Sequence, residues 1–211
     1  LEAARARVPE AHITCLSSGE VYGSSPQPLA EDDPLRPLTP YGAAKAAMEV
    51  LCDQHTRAHG TRIAIVRPFN QIGPGLAPGH AIADFTAAVA AAERHGEPGA
   101  QLAVGHPAAA RDYTDIRDCA GALLTLAREE VVGTFNLCSG RSTTIAELIE
   151  QLAGIAAIPV TYEVDPALAR PADPAVKIGR PDRLTAATGW QPTIPLPQTL
   201  AEMLAAARGQ E

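Results

Sequence analysis

The chain has 211 residues, a net charge of −7, 46% hydrophobic residues and 19% charged residues. This composition predicts an ordinary globular protein with one large core or two modest domains. The acidic balance and the lack of any Lys/Arg cluster in the sequence exclude a nucleic-acid-binding surface. An anionic ligand would therefore need a few arginines placed in a local pocket.

The first half of the chain is predicted to alternate strands with helices. The opening residues are typical of the tail of a helix, and the run over 61–68 is apolar and β-branched, typical of a strand buried on both faces. Glycine and proline over 70–79 predict a loop. The other predicted elements are a strand over His12–Ser17, a helix over 43–60 that Gly60 closes, and a helix over 81–96.

The second half continues the alternation. It predicts a short strand over 101–105, a helix over Asp115–Glu129 that Asp115 caps, a buried strand over 135–140 and a helix over 143–156 that begins with a threonine cap. Short strands, turns and two small helices follow. Such alternation predicts an α/β fold, a parallel sheet with helices on both faces.

Ligands bind such sheets at the carboxyl ends of the strands. The loops of interest therefore follow Ser17, Pro68, Gly105 and Cys138. The sequence has no internal repeat and no low-complexity linker, so a second domain would have to be interleaved with the first.

The four cysteines, Cys15, Cys52, Cys119 and Cys138, stand apart in apolar runs. None has the CxxC spacing or a nearby histidine at zinc-ligand spacing, so we expect buried, reduced thiols and no metal. The sequence has no signal peptide and no apolar stretch of about 18 residues. We therefore expect a cytoplasmic location without membrane contact.

Tyr41 and Lys45 are four residues apart at the start of a predicted helix, so both side chains leave the same face. A cation held beside a phenol favours the phenolate, which can exchange a proton with a substrate hydroxyl or carbonyl near neutral pH. A Tyr/Lys pair on a solvated helical face is the alternative, because the YxxxK spacing is a weak signal by itself.

Ser18 follows the predicted strand His12–Ser17, in the run LSSGEVYG. At the carboxyl edge of the sheet its hydroxyl could bond the same substrate oxygen as Tyr41. Ordinary turn chemistry is the alternative for Ser17 and Ser18.

Six segments stand in the sequence in a fixed order: SSGEVYG, YGAAK, RPFNQIGPG, RDYTDIRD, FNLCSG and LARPAD. With this set the chain resembles the extended short-chain dehydrogenase/reductase family of nucleotide-sugar epimerases, dehydratases and reductases, and is most similar to the GDP-4-keto-6-deoxy-D-mannose reductases. The resemblance implies a Rossmann-like sheet, truncated at its N-terminal side, over 1–71 and 109–140. It assigns 72–108 and 141–211 to an interleaved, smaller α/β domain that binds the nucleotide sugar.

The resemblance also implies roles for the candidate catalytic residues. Ser18 and Tyr41 would polarise the sugar carbonyl, and Tyr41 would deliver the proton. Lys45 would hold the nicotinamide ribose of NADP or NAD, which supplies the hydride. Pro68 and Asn70 would lie beside the nicotinamide.

The substrate-binding residues implied by the resemblance are Asn70, Arg111, Arg170 and Asp173. The two arginines would hold the diphosphate, for which the fork of a guanidinium is well suited, and Asp173 would receive ribose hydroxyls. A salt bridge with Asp112 or Asp115 is the alternative for Arg111, and a turn residue that bonds its own backbone is the alternative for Asn70.

Glu20 leaves the reaction type open. Dehydratases of this family place an acid two residues after a hydroxyl residue to remove the C5 proton of the 4-keto sugar, and Ser18–Glu20 has that spacing. A reductase can also carry an acid there, and a solvated loop glutamate is a third possibility. The resemblance therefore implies a reductase, with a 4,6-dehydratase or epimerase as the alternative.

The family begins with a glycine-rich turn that binds the pyrophosphate of the cofactor. Neither GxxGxxG nor GxGxxG stands in this sequence. We therefore expect a chain that lacks the main dinucleotide-binding part, is inactive by itself, and in one alternative is a catalytically silent nucleotide-sugar-binding module.

The resemblance further implies a homodimer of the intact protein. In this family the helix from Tyr41 and the one from about Gly79 pack against a second subunit. The Ala/Leu/Met stripe in AAKAAMEVLCDQH suits that arrangement. The alternative is that the stripe faces its own sheet.

Overall fold

The computed structural model describes residues 1–169 and 176–209. The helices are α1 (Glu2–Arg7), α2 (Pro40–His59), α3 (Ala81–His95), α4 (Ile116–Arg128), α5 (Ile145–Ala153), α6 (Asp182–Thr188) and α7 (Leu196–Arg208). Two 3-10 turns cover Gly19–Val21 and Pro166–Leu168. The strands are β1 (His12–Leu16), β2 (Arg62–Pro68), β3 (Asn70–Ile72), β4 (Ala100–Val104), β5 (Ala110–Arg111), β6 (Tyr113–Asp115), β7 (Gly133–Leu137), β8 (Thr143–Thr144), β9 (Val160–Val164) and β10 (Val176–Lys177).

The central sheet is parallel and runs in the order β1-β2-β7. Leu16 lies beside Val66, and Val66 lies beside Phe135, so the three strands end at one edge. Five consecutive residues of β2, Ile63–Arg67, are buried, as expected for the middle strand of a sheet covered on both faces. The parallel sheet predicted from the alternation is therefore present.

Helix ends follow the predicted caps. Gly60 closes α2 in the left-handed region at φ 67°, where glycine carries no steric penalty. Asp115 accepts from the backbone of Arg117 at the start of α4, and Thr144 forms a capping box with Glu147 at the start of α5. These contacts are local, which is why the sequence predicted them.

The bounds of several elements differ from the predicted ones, among them α5 and β7, and two differences have a local cause. The segment 70–79 begins with a strand, β3, because its backbone pairs with β6 in parallel. The helix predicted over 43–60 begins at Pro40, since Thr39 caps it and proline is accepted in a first helical turn.

The largest apolar cluster lies outside the central sheet, among α3, β4, α5 and α7, and includes Val89, Leu148 and Leu200. A second cluster packs α4 against β2 and β7, and Leu184 and Trp190 join it. The division of the chain into one domain of 1–71 with 109–140 and another of 72–108 with 141–211 stays a prediction. Leu184 on α6, from the second of these segments, packs into the core beside the central sheet.

The four cysteines are free thiols, three buried and Cys15 half-buried. No helix within residues 1–169 and 176–209 is long and apolar enough to cross a membrane.

Candidate active site

A cavity of about 1270 Å³ opens at the carboxyl ends of β1 and β2. The first two strand ends supply Ser18 and Pro68, and α2 supplies its first turns. The cavity brings together seven of the nine predicted site residues: Ser18, Glu20, Tyr41, Lys45, Pro68, Asn70 and Arg111. The other two, Arg170 and Asp173, lie outside the described residues.

The adjacent serines have different surroundings. Ser17 is buried, and its hydroxyl donates to the carboxylate of Glu49 inside the fold. Ser18 caps the turn Gly19–Val21, where its hydroxyl oxygen accepts from the backbone N–H of Glu20 at 3.1 Å. Ser18 therefore shows the turn chemistry given as its alternative, and the same bond leaves its hydroxyl proton available to a ligand in the cavity.

Tyr41 and Lys45 leave one face of α2 and both line the cavity, as their spacing predicted. The Lys45 ammonium lies 5.7 Å from the centre of the Tyr41 ring and donates to the carbonyl of Leu16 at 2.7 Å. Tyr41 is 55% exposed. Lys45 is thus held against the end of β1 while the Tyr41 ring reaches into the open cavity.

The first turn of α2 touches the backbone of the Ser18 loop through Gly42. A Cβ added to Gly42 would lie 2.6 Å from the carbonyl oxygen of Glu20. Only glycine allows the helix to approach that closely. This contact sets how far Tyr41 stands from Ser18 and Glu20.

A buried polar network, here called the Arg67 network, supports this wall of the cavity. Arg67 on β2 donates to Glu49 on α2 at 2.6 Å and to the hydroxyl of Tyr22 at 2.6 Å, and Tyr22 donates to Asn136 on β7 at 2.7 Å. Burial raises the pKa of Tyr22 to about 12. Burial by itself lowers the pKa of Arg67, but the hydrogen bond to Glu49 raises it, and the net pKa is above the ordinary value. The Arg67–Glu49 salt bridge therefore joins Ser17, α2 and β2.

Sequence reasoning missed the Arg67 network. The available signal was a charged residue, Arg67, at the end of an otherwise apolar buried strand. A buried arginine needs an acid partner, but the sequence does not say which acid supplies it.

Glu20 forms an ion pair with Lys177, which is 157 residues away in the chain. Lys177 is 4% exposed and Glu20 is partly exposed, so the pair lies in the cavity wall. The reading of Glu20 as a solvated loop residue is wrong. Sequence reasoning missed Lys177, although the chain has only two lysines and both line this cavity.

Arg111 is buried, lines the cavity and donates to the carbonyl of Ala110 at 2.9 Å. Both acids considered as its partners accept hydrogen bonds from other residues. Asp112 accepts from Ser139 and Gly140, and Asp115 from Arg117. Burial raises the pKa of Asp112.

Lys177 pairs with Arg111 in the register of β10 and β5, so two cationic side chains lie next to each other. The Glu20 carboxylate lies against one of them, Lys177, so two cations and one carboxylate meet in this wall of the cavity. Asn70 is part of β3 and is not a turn residue.

The end of the cavity formed by Tyr41, Lys45, Pro68 and Asn70 suits the nicotinamide ribose of a dinucleotide, because it offers an ammonium, a phenol and an amide at a strand end. The pyrophosphate would need a glycine-rich turn before a helix, and the sequence holds no such motif. The described residues therefore suit one end of the cofactor.

A family model described as GDP-mannose 4,6 dehydratase matches residues 1–203 of the chain. The GDP-6-deoxy-D-mannose reductase of Pseudomonas aeruginosa is 36% identical over 208 residues, which cover 97% of this chain and 68% of that protein. The UDP-glucose 4-epimerase of Halalkalibacterium halodurans is 28% identical over 205 residues, which cover 90% of this chain and 61% of the epimerase.

Solved structures are similar over nearly the whole chain. RMD from Pseudomonas aeruginosa, complexed with NADPH, superposes with a TM-score of 0.90 at 34% identity and covers 99% of this chain and 70% of that one. The UDP-glucose 4-epimerase of Thermus thermophilus, complexed with NAD, gives a TM-score of 0.83 at 27% identity, over 99% of this chain and 67% of that one. The predicted Rossmann-like α/β fold is confirmed by these matches.

Proposed function

Because the chain belongs to the GDP-mannose 4,6-dehydratase family, among the NAD-dependent epimerases and dehydratases, we propose that it is part of an NAD(P)-dependent reductase of a nucleotide sugar. Its reaction is reduction of the C4 keto group of a GDP-linked 4-keto-6-deoxy hexose. One observation carries this proposal: a single cavity holds Ser18, Tyr41 and Lys45 together with Asn70 and Arg111.

The proton needed at the sugar oxygen comes from this chain. The Ser18 and Tyr41 hydroxyls donate to the C4 carbonyl oxygen, and Tyr41 transfers its proton as the alcohol forms. The Lys45 ammonium, held by the Leu16 carbonyl, stabilises the phenolate that is left. Water then returns a proton to Tyr41.

The cofactor supplies the hydride when it is bound. NADPH or NAD in the similar structures supports this cofactor class. Tyr41, Lys45, Pro68 and Asn70 are the residues that would hold its nicotinamide end.

On the substrate side, Arg111 binds the diphosphate, with Arg170 as a second arginine and Asp173 at the ribose. Guanine as the base is supported by the 36% identical reductase.

The Lys177 ion pair favours reduction over elimination. A dehydratase needs Glu20 as a free carboxylate that takes the C5 proton. Here the Lys177 ammonium is paired with that carboxylate, so removal of the C5 proton by Glu20 would first require this ion pair to break. Dehydration or epimerisation remains the second candidate, supported by the Ser18–Glu20 spacing and by the epimerases among the relatives.

Cofactor stoichiometry separates these candidates. The protein at its full natural length is incubated with GDP-4-keto-6-deoxy-D-mannose and NADPH, and both NADPH oxidation and the sugar product are measured. A reductase oxidises one NADPH for each sugar reduced. Conversion of the sugar without net oxidation would instead indicate a dehydratase or epimerase.

Calorimetry with GDP addresses the silent-module alternative. Binding of GDP without any turnover would support that alternative. Reduction of the sugar at an enzyme-like rate would rule it out. The 211-residue chain is assayed in parallel, because its inactivity by itself stays a prediction.

A homodimer formed through α2 is part of the proposal. Val50 and Leu51 on α2 are 63% and 62% exposed, whereas Glu49 and Cys52 face the fold. An apolar exposed face of this kind suits a subunit contact. Sedimentation as a monomer at micromolar concentration would contradict it.

Four free thiols fit a reducing compartment, so we place the protein in the cytoplasm.

A further inference from the structure

We propose that Glu2, His55 and His59 form a binding site for a divalent transition-metal ion, with Zn²⁺ as the preferred ion. One ligand atom from each residue lies within 4.8 Å of the others. Glu2 Oε1 is 3.3 Å from His55 Nε2 and 3.9 Å from His59 Nε2. None of the three residues lines the active-site cavity.

The spacing of the ligand atoms matches tetrahedral coordination. Zn–N and Zn–O bonds of about 2.0–2.1 Å at tetrahedral angles place neighbouring ligand atoms about 3.3 Å apart. One of the two distances from Glu2 Oε1 has this value, and the other needs a small side-chain rotation. His55 and His59 are four residues apart on α2, so both imidazoles leave the same face of one rigid element.

The buried imidazole of His55 gives independent support. His55 is 4% exposed, and its Nε2 has no hydrogen-bond partner among the described residues. Its other nitrogen, Nδ1, lies 2.7 Å from the hydroxyl oxygen of Thr61. When Nδ1 donates to Thr61, the Nε2 lone pair faces the Glu2 carboxylate. A cation between these two acceptors removes their repulsion, and Thr61 holds the ring in the orientation that a metal ligand requires.

The position of the cluster also favours a cation here. The cluster lies at the C-terminal end of α2, where the unpaired backbone carbonyls attract positive charge. Arg5 holds Glu2 Oε2 at 2.8 Å, which leaves Oε1 turned toward the histidines. Glu2 and His59 are partly exposed, so an ion can enter from solvent and keep a water as its fourth ligand.

The ligand set selects the class of ion. Two imidazoles and one carboxylate suit Zn²⁺ and similar transition metals, whereas Ca²⁺ and Mg²⁺ require mostly oxygen ligands. The expectation of no metal rested on cysteine spacing. That expectation did not consider the HxxxH pair on α2 or an acid 53 residues before His55. The sequence does not show that these residues are close, because only the fold brings α1 beside α2.

Isothermal titration of the chelator-treated protein with ZnCl₂ tests the site. We expect one Zn²⁺ per chain. Loss of one ligand in His59→Ala or Glu2→Gln should weaken binding at least about tenfold, the effect seen when even an outer-shell partner of a metal is removed. His95→Ala is the matched control, since His95 also ends a helix beside a glutamate, Glu97, and should bind Zn²⁺ as the wild type does.

Co²⁺ replacement identifies the ligand atoms. Nitrogen and oxygen ligation gives no thiolate charge-transfer band, and Cys15→Ser should leave Zn²⁺ affinity unchanged. His55→Ala is avoided as the main variant because His55 is buried, and circular dichroism checks that the others fold. The proposal is overturned if His59→Ala binds Zn²⁺ as tightly as the wild type does, or if the wild type shows no saturable binding of micromolar Zn²⁺.

Discussion

The two lysines of the chain have different tasks in the same cavity. Lys45 is anchored to the end of β1 and stands beside Tyr41, whose phenolate it stabilises in the proposed mechanism. Lys177 is buried and bound to Glu20, the residue that a dehydratase would use as its base. In the proposed function, the choice between reduction and elimination depends on which group each ammonium contacts.

Replacement of Tyr41 by phenylalanine tests the proton donor. Tyr41→Phe should lower kcat by about 10²–10⁴, the usual contribution of a positioned acid, while calorimetry shows unchanged affinity for the nucleotide sugar. Tyr162→Phe, on β9 and outside the cavity, serves as the control. A Tyr41→Phe enzyme with wild-type kcat would exclude Tyr41 as the donor.

Removal of the Lys177 charge tests the suppression of elimination. Lys177→Gln frees Glu20, so deuterium from solvent should enter C5 of the 4-keto sugar about fivefold faster, the factor for an ion pair of about 1 kcal/mol. NMR of the sugar measures this exchange without any hydride transfer. In the double variant Lys177→Gln/Glu20→Gln, exchange at C5 should return to the wild-type rate. Equal exchange rates in Lys177→Gln and the wild type would refute the suggested role of Lys177.

At the scale of elements, the first turn of α2 and the Ser18 turn form one unit. Thr39 caps the helix, and Gly42 lets it touch the Glu20 carbonyl. The Arg67 network joins the same helix to β2 through Glu49. The position of Tyr41 is therefore set by backbone contact and by a buried ion pair, and a shift of the helix would move it.

An added methyl group tests this contact. In Gly42→Ala the Cβ would stand 2.6 Å from the Glu20 oxygen, so α2 must move away. Because a shift of about 1 Å can cost about 100-fold in rate, kcat should fall by that order, with a loss of stability of about 1–3 kcal/mol. Chemical denaturation and steady-state kinetics measure both quantities.

Gly121→Ala on α4 is the control for that experiment, since among residues 1–169 and 176–209 its added Cβ meets no atom within 4 Å beyond its own helix backbone and chain neighbours. Alanine is the better helix former by about 1 kcal/mol, so this variant should be as stable as wild type or more stable. Wild-type activity in Gly42→Ala would mean that the close approach does not position Tyr41.

At the scale of the whole molecule, the cavity lies between the central sheet and the outer cluster of α3, β4, α5 and α7. Asp118 on α4 holds the last segment of the chain by accepting from the backbone of Thr193 and Ile194. The cavity is thus bordered by two different apolar cores. Stability of the molecule depends on both.

Alkaline pH should weaken the fold through its buried thiols. Burial raises the pKa of Cys119 to about 12, above its ordinary value of 9.0. Between these two values the unfolded chain loses the thiol proton while the folded chain keeps it, so the free energy of unfolding falls as pH rises, by up to about 4 kcal/mol. Urea unfolding at pH values from about 8 to 11 measures how steeply the free energy of unfolding falls with pH. The figure of about 4 kcal/mol is the contribution of one thiol.

Cys119→Ala is the comparison for this slope. Its loss of stability above about pH 9 should be shallower than that of the wild type, because one titrating thiol is gone. Parallel slopes in the two proteins would show that Cys119 does not titrate on unfolding.

Sequence alone determined the local features of this protein. The caps at Thr144 and Asp115, the buried strand β2 and the shared face of Tyr41 and Lys45 follow from short-range rules of spacing and capping, and the ordered motifs identified the family. Only the tertiary structure separated Ser17 from Ser18, supplied Lys177 to Glu20 across 157 residues, and joined Arg67 to Glu49. The physical reason is that a buried charge requires a partner, but which distant residue supplies that partner is decided by the packing of the chain.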